Sequence, residues 1–168
     1  MHLQTRTQND GEECNDEEVG EKRRLARDCA LLAEGIRDQA NLLAKTVNSP
    51  EFDRDFIRKL IRELQNQIAI LEQEDGLLLQ SLSEERRVKF KTPIRMIDQS
   101  RRFVIERLNT IDQEFLQFKP NFDRIGKNST EMGMTMETWR GQYLKIDESK
   151  LIQRSNKQNL SSDWRTSR

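Results

Sequence analysis

The feature that most constrains this chain is an apolar stripe that recurs at steps of three or four residues from Ile94 to Ile125. Most residues between its members are polar, and this spacing is typical of one face of a helix. A single helix has nowhere to bury such a stripe, so we expect helices that pack against one another. The positions in this frame are Ile94, Ile97, Arg101, Val104, Leu108, Ile111, Phe115, Phe118, Phe122 and Ile125.

The same frame continues beyond this stretch. Counted onward, it reaches Ser129, Met132, Met136, Trp139, Tyr143 and Ile146. Lys119-Pro120 lies inside the frame, and proline bends or divides a helix. Because the frame holds on both sides, we predict a fourth helix that continues the third in roughly the same direction. Residues 93–152 would then span about 90 Å at about 1.5 Å per residue.

Two further helices are predicted before this stretch. The first runs from about Glu21 to Val47 and the second from about Pro50 to Leu82. Proline disfavours helical geometry in the residue before it and suits the first turn of a helix, which places the boundary at Asn48-Ser49-Pro50. The second helix carries a heptad pattern, and residues 83–92 break its phase. The predicted fold is therefore all-α, an elongated antiparallel helical bundle or coiled coil of three to four helices.

The ends of the chain differ from its centre. Residues 1–20 are polar and acidic, and residues 153–168 have Trp164 as their one large apolar anchor. Segments of this composition bury too little apolar surface to offset the entropy of ordering them. We therefore predict a disordered acidic N-terminus over 1–20, a helical domain over 21–152 and a disordered tail over 153–168.

The sequence offers little catalytic chemistry. Its single histidine is His2, and Cys14 and Cys29 lack the spacing of a zinc site. Neither glycine-rich phosphate-binding motif occurs. We therefore expect no enzyme activity, no catalytic residue, no bound metal and no cofactor.

The charge balance and hydropathy favour a neutral, cytoplasmic chain. Lys and Arg number 29, as do Asp and Glu, so the net field does not favour nucleic acid. The longest apolar run, Cys29–Ala33, is far shorter than the roughly 20 residues of a membrane span, and the first ten residues have no signal-peptide core.

The lengths of the predicted helices do not match, and the surplus stripe lies toward the C-terminus. Two interpretations remain open: this segment packs onto its own bundle, or it is an exposed docking helix or oligomer interface. The second is favoured because methionine adapts to irregular partners and Trp and Tyr are enriched at interfaces. The candidate partner-binding residues are Phe122, Met132, Met136, Trp139, Tyr143 and Ile146.

Two charged residues, Asp75 and Arg101, occupy positions of the stripes where an apolar residue is expected. Polar groups at such positions can fix register or partner choice at a cost in stability. They are candidate register-setting residues that would face each other if the second and third helices pair antiparallel. Local drift of the stripe, which would place both in solvent, is the alternative.

A basic corner follows the second helix. Its residues Arg86, Arg87, Lys89 and Lys91 are candidates for contact with phosphate, either of lipid or of nucleic acid. The simpler interpretation is a solvated corner whose cations pair with nearby acids.

These observations predict a non-enzymatic coiled-coil scaffold or adaptor subunit of a cytoplasmic multiprotein complex, of the trafficking, tethering or kinetochore type. Its partners would be other helical proteins or further copies of the chain. The alternative is a peripheral membrane-binding helical module that uses the basic corner and its neighbours, residues 86–102.

Overall fold

The structure is a computed structural model that describes the backbone of residues 2–51 and 53–147, with side chains described from Arg24 onward. Five helices, and no strand, occur in these ranges, so the all-α prediction is confirmed and the count of three to four helices is corrected. The helices are α1 (His2–Asn48), α2 (Arg54–Ser81), α3 (Glu84–Lys89), α4 (Lys91–Phe115) and α5 (Phe122–Ile146).

The ends of the chain leave part of the domain prediction open. The backbone of α1 is helical from His2, including the 1–20 segment for which we predicted disorder, and that disorder stays a prediction. The expected tail at 153–168, with Trp164, lies outside the described residues.

The break between α1 and α2 falls where proline predicts it, but the second helix starts later than expected. α1 ends at Asn48, before Ser49-Pro50. The first residue of α2 is Arg54, and its N-cap is Asp53, whose carboxylate accepts a hydrogen bond from the Asp55 amide at 2.9 Å. A side-chain oxygen at this position satisfies an amide that has no partner inside the helix. Pro50 therefore lies in the connection rather than in the first turn of α2.

The connection from α2 to α4, residues 82–90, is mostly helical rather than irregular. Ser83 caps α3 by accepting a hydrogen bond from the Arg86 amide at 3.3 Å. The Arg87 guanidinium donates to the Leu79 carbonyl at 2.7 Å, which satisfies an acceptor in the last turn of α2. α4 starts at Lys91, so Pro93 sits in its first turn, where a missing N–H costs no helical hydrogen bond.

The predicted straight continuation of α4 into α5 is wrong. α4 ends at Phe115, and Asn121 caps α5 by accepting a hydrogen bond from the Arg124 amide at 3.2 Å. Glu114 holds the turn from the other side, because it accepts from the Asn121 amide at 3.0 Å and pairs with Arg124 at 3.5 Å. The connection reverses the chain, and Phe118, placed in the stripe by its spacing, is 94% exposed.

α5 lies antiparallel to α1, and this is the most extensive helix pair in the described chain. Ion pairs between the two helices show their antiparallel register, because residues later in α1 pair with residues earlier in α5. They join Arg27 to Asp147 at 3.5 Å, Glu34 to Arg140 at 3.8 Å and Arg37 to Glu137.

Small residues let α1 and α5 approach closely. The α1 surface that meets α5 is rich in alanine, including the buried Ala26, Ala33 and Ala40. On α5, Gly126 and Gly133 face α1 so closely that an added Cβ would lie 3.0 Å from a Val47 methyl carbon in the first case and overlap the Asn41 amide in the second. Close contact of backbones is the usual consequence of small residues at a helix interface.

The other pairs complete a four-helix bundle around one core. α4 packs along α5, where Arg107 pairs with Glu131 at 3.2 Å, and α2 packs along α1. α2 and α4 lie side by side but much less closely. At one end of this wide seam, the guanidinium groups of Arg54 and Arg58 each lie 5.9 Å from the centre of the Phe115 ring.

The residues predicted to bind a partner lie instead in this core. Met132, Met136, Trp139 and Tyr143 are fully buried, Ile146 is buried, and Phe122 packs partly buried against the same cluster. The prediction of an exposed docking ridge is therefore wrong for these residues, and the alternative, that the segment packs onto its own bundle, is what the structure shows. The reversal at residues 116–121 explains this, because it brings the stripe of α5 back over α1 and α4.

The close approach of α1 and α5 can be tested with two glycine substitutions in α5. Gly141→Ala should raise the free energy of unfolding by about 0.5–1 kcal/mol, since an added Cβ has open space there and alanine favours the helix. Gly126→Ala should raise the free energy of unfolding by a smaller amount or lower it, because the added Cβ would lie 3.0 Å from the Val47 methyl carbon. Urea denaturation measures both, and equal gains at the two positions would contradict the packing described above.

Candidate functional site: a charged cleft beside a buried polar network

A short chain of hydrogen bonds crosses the core from α5 to α2. The Trp139 indole N–H donates to the Tyr143 hydroxyl oxygen at 2.7 Å, and the Tyr143 hydroxyl donates to an Asp75 carboxylate oxygen at 2.7 Å. Asp75 occupies a position of the α2 stripe and is only 4% exposed. Buried polar groups are costly unless they are paired, and this chain gives each of the three groups a partner.

Burial controls the protonation of this network. Removal from water raises the pKa of Asp75, while the Tyr143 hydrogen bond and the nearby Arg101 charge oppose that shift. Burial and the charge of Asp75 also raise the pKa of Tyr143. The neighbouring Cys29 thiol has its pKa raised to about 12, mainly by burial and then by Asp75. At neutral pH this thiol keeps its proton, so it lacks the thiolate that a nucleophilic cysteine needs.

Beside Asp75 a cleft of about 550 Å³ opens between α2 and α4, where these helices pack least closely. Its volume falls within the usual range for small-molecule sites. Its wall combines apolar side chains with charged groups from three helices. The lining residues are Asp75, Leu79, Arg87, Lys91, Ile94, Arg95, Ile97, Asp98 and Arg101.

The structure brings Asp75 and Arg101, the two predicted register-setting residues, to the same cleft. They make no direct contact there, because Asp75 accepts the Tyr143 hydroxyl and the ion pair of Arg101 is with Asp98 on its own helix. Asp75 is buried and Arg101 is half-buried, so neither points freely into solvent. Whether they set the register of the bundle stays a prediction.

The acids of the cleft are engaged and two of its cations are not. Asp98 pairs with Arg101 and, at 3.2 Å, with Arg102. Within the described part of the chain, the side chains of Lys91 and Arg95 have no hydrogen bond or ion pair, and both are exposed. The open rim of the cleft therefore carries unneutralised positive charge.

The predicted basic corner is divided by the structure. Arg87 and Lys91 line the cleft, whereas Arg86 and Lys89 do not. The Lys89 ammonium lies 5.4 Å from the centre of the Phe90 ring. Arg95 lies within the predicted region 86–102, but Leu79, Ile94 and Ile97 were not predicted to line a site with it. The steps of three and four from Lys91 to Asp98 mark one face of α4 and could have identified that side of the cleft.

A second surface feature is a set of exposed apolar side chains along α1 and α2. The hydrogen bond from the Gln39 amide to Glu63, at 2.7 Å, marks where these helices meet. Glu63 shares a heptad position with Phe56, Ile70 and Leu77, and Leu31 and Leu42 lie three turns apart on one face of α1. We call this surface the α1–α2 face. Its exposed apolar residues are Leu31, Leu42, Phe56, Ile70 and Leu77.

The described residues contain no group of three or more His, Cys, Asp or Glu side chains arranged to hold a metal ion. No helix in the same part of the chain is long and apolar enough to cross a membrane. Comparison with protein-family models, with curated proteins and with solved structures found no match to this chain. Function is therefore inferred from the surfaces of the molecule itself.

Replacing Asp75 by Asn tests the buried network through its pH dependence. Since the pKa of Asp75 is raised above its ordinary value of 3.8, the folded state keeps this proton at pH values where the unfolded state has lost it. The contribution of Asp75 to stability is therefore present below about pH 4 and is lost as the pH rises through the folded pKa. Asp75→Asn keeps an oxygen for the Tyr143 hydroxyl and does not ionise.

We therefore expect the free energy of unfolding of Asp75→Asn, relative to that of the wild type, to be higher at pH 7 than at pH 4. Urea denaturation at the two pH values measures the difference. Glu106→Gln, which neutralises an exposed acid on α4 that is not among the charges shifting the Asp75 pKa, controls for the loss of one negative charge. A difference between Asp75→Asn and the wild type that does not change with pH would contradict this description of Asp75.

Proposed function

We propose that this protein is a non-enzymatic adaptor or scaffold subunit of a cytoplasmic multiprotein assembly and that it binds a helix of a partner protein along the α1–α2 face. The observation that carries the proposal is the exposure of five large apolar side chains on this one surface. Single exposed apolar residues are ordinary, whereas several that follow two neighbouring helices favour an interaction site.

The spacing of these side chains fits a helical partner. Phe56, Ile70 and Leu77 repeat at multiples of seven residues, as does Glu63 between them. A partner helix with its own stripe could lie in the groove between α1 and α2, where Gly35 leaves open space. The association would be of the coiled-coil type, with apolar side chains of one helix fitting between those of its neighbours.

Magnitudes limit the affinity of such a contact. Fully burying a large apolar side chain contributes about 1.5–3 kcal/mol, and these side chains are already half-buried. Five of them would contribute roughly 4–7 kcal/mol, whereas association costs at least about 4 kcal/mol in lost freedom of motion. The face alone therefore supports a weak complex, and a stable assembly requires polar contacts or a second binding site on the partner.

The double variant Ile70→Glu/Leu77→Glu tests the proposal. Both side chains are exposed, so the free energy of unfolding should change by no more than about 0.5 kcal/mol per position. The affinity for a helical partner should fall at least about tenfold. The matched control is Gln65→Glu/Gln80→Glu, which adds the same charge at exposed positions on another side of α2.

The measurement compares proteins captured by the immobilised full-length wild type and by the two variants, followed by binding of each purified candidate. The proposal predicts a partner that is retained by the wild type and the control, lost from Ile70→Glu/Leu77→Glu, and bound again when purified. Light scattering of the protein alone shows whether that partner is a second copy. If no captured protein distinguishes the two variants, the α1–α2 face is not a docking surface.

A further inference from the structure

We infer that the cleft between α2 and α4 binds an anionic amphiphile, that is, a phosphate or carboxylate group attached to an alkyl chain. This site lies on another side of the bundle from the α1–α2 face, and its ligand is independent of the proposed adaptor function. Three properties of the cleft support the inference: its apolar wall, its unpaired cations and the helix that begins at its rim.

The apolar wall would receive the alkyl chain. Leu79 of α2 and Ile94 of α4 are half-buried, and Ile97 beneath them is buried. The cleft is open because α2 and α4 pack loosely there, so this apolar surface faces an unfilled volume of about 550 Å³. A short alkyl chain would remove that surface from water. The protein would lose little conformational entropy on binding, because the walls are already formed.

The unpaired cations select the charge of the ligand. The carboxylate of Asp98 is neutralised by Arg101 and Arg102, and that of Asp75 accepts the Tyr143 hydroxyl. The acids are therefore occupied by partners inside the protein. Lys91 and Arg95 are one helical turn apart and unpaired among the described residues, so they present two adjacent donors to an anion.

The start of α4 adds to the same field. Lys91 is the first residue of this 25-residue helix, its first turn contains no acidic residue, and no side chain caps it. The amino end of a helix carries a partial positive charge that favours anions. The carbonyl end of α3, which shares the cap residue Phe90 with α4, reduces this effect, so Lys91 and Arg95 are the main source of positive charge at the cleft.

A half-enclosed cleft differs from a flat basic surface in what it recognises. A membrane surface would use the exposed cations of α3 and α4 collectively, with no need for the apolar wall. A single amphiphile needs the wall and the two cations together, and neither inorganic phosphate nor an uncharged alkyl compound satisfies both. This requirement distinguishes the inferred ligand from free phosphate and from a lipid surface.

Isothermal titration calorimetry on the full-length protein tests the inference with four soluble probes below their micelle concentrations. Octyl phosphate and octanoate differ in head group, octyl glucoside lacks the charge, and inorganic phosphate lacks the chain. At least one of the two charged amphiphiles should bind with one-to-one stoichiometry and at least tenfold more tightly than octyl glucoside and inorganic phosphate.

The double variant Lys91→Gln/Arg95→Gln should weaken that binding at least tenfold, and both positions are exposed, so its circular dichroism and thermal unfolding should match the wild type. Lys59→Gln/Arg62→Gln removes two exposed cations from α2, outside the cleft lining, and should leave the affinity within twofold. The inference is overturned if neither charged amphiphile binds, if inorganic phosphate binds equally well, or if the cleft variant binds like the wild type. Binding to phosphatidylserine vesicles without binding of either amphiphile would also overturn it, in favour of a surface contact with membranes.

Discussion

Small residues on α1 and α5 allow these two helices to pack with their backbones in close contact, and the remaining helices arrange themselves around this pair. An added Cβ would lie 3.0 Å from a Val47 methyl carbon at Gly126 and would overlap the Asn41 side-chain amide at Gly133. The ion pairs between Arg27 and Asp147 and between Glu34 and Arg140 lie along the same interface. Because α5 also packs on α4, it covers the apolar stripe of that helix.

The same arrangement explains why polar groups and a cleft occur together on the other side of the bundle. α2 and α4 pack much less closely than α1 and α5, and Asp75 of α2 lines the cleft between them. Tyr143 reaches Asp75 from α5 and satisfies it. The acid thus has a partner inside the molecule, while the loose α2–α4 seam leaves the cleft beside it open to solvent.

Local sequence signals predicted most of the helices, but they did not determine how the helices fold back on one another. The spacing of apolar residues identified helical segments corresponding to α1, α2, α4 and α5, and Pro50 located the first boundary. The direction of α5 was wrong because the frame of α4 continues across Pro120 in phase. The reversal is shown by the cap at Asn121 and the contacts of Glu114. The spacing of apolar residues does not determine the direction in which the next helix runs.

For the site, the unexpected charges at Asp75 and Arg101 identified two residues that line the same cleft, although each has its partner elsewhere, Asp75 in Tyr143 and Arg101 in Asp98. Trp139 and Tyr143 were wrongly predicted to bind a partner, because Trp and Tyr are common both at protein interfaces and in buried cores. The Tyr143 hydroxyl donates to Asp75 on α2, 68 residues away, and no local pattern in the sequence predicts that contact. Phe56, Ile70 and Leu77 show a heptad spacing in the sequence, but only the structure shows that these side chains are exposed.

Whether α5 returns along α4 or extends it can be decided by the distance between two spin labels. The labels would be placed at the exposed positions Thr92 and Lys145 in a protein whose Cys14 and Cys29 are replaced by Ser and Ala. Neighbouring helix axes lie about 8–10 Å apart, so pulsed electron paramagnetic resonance should give a single distance below about 35 Å once the label lengths are included. A distance near 80 Å, as expected for a continuous helix at about 1.5 Å per residue, would contradict the fold and with it the buried network and the cleft.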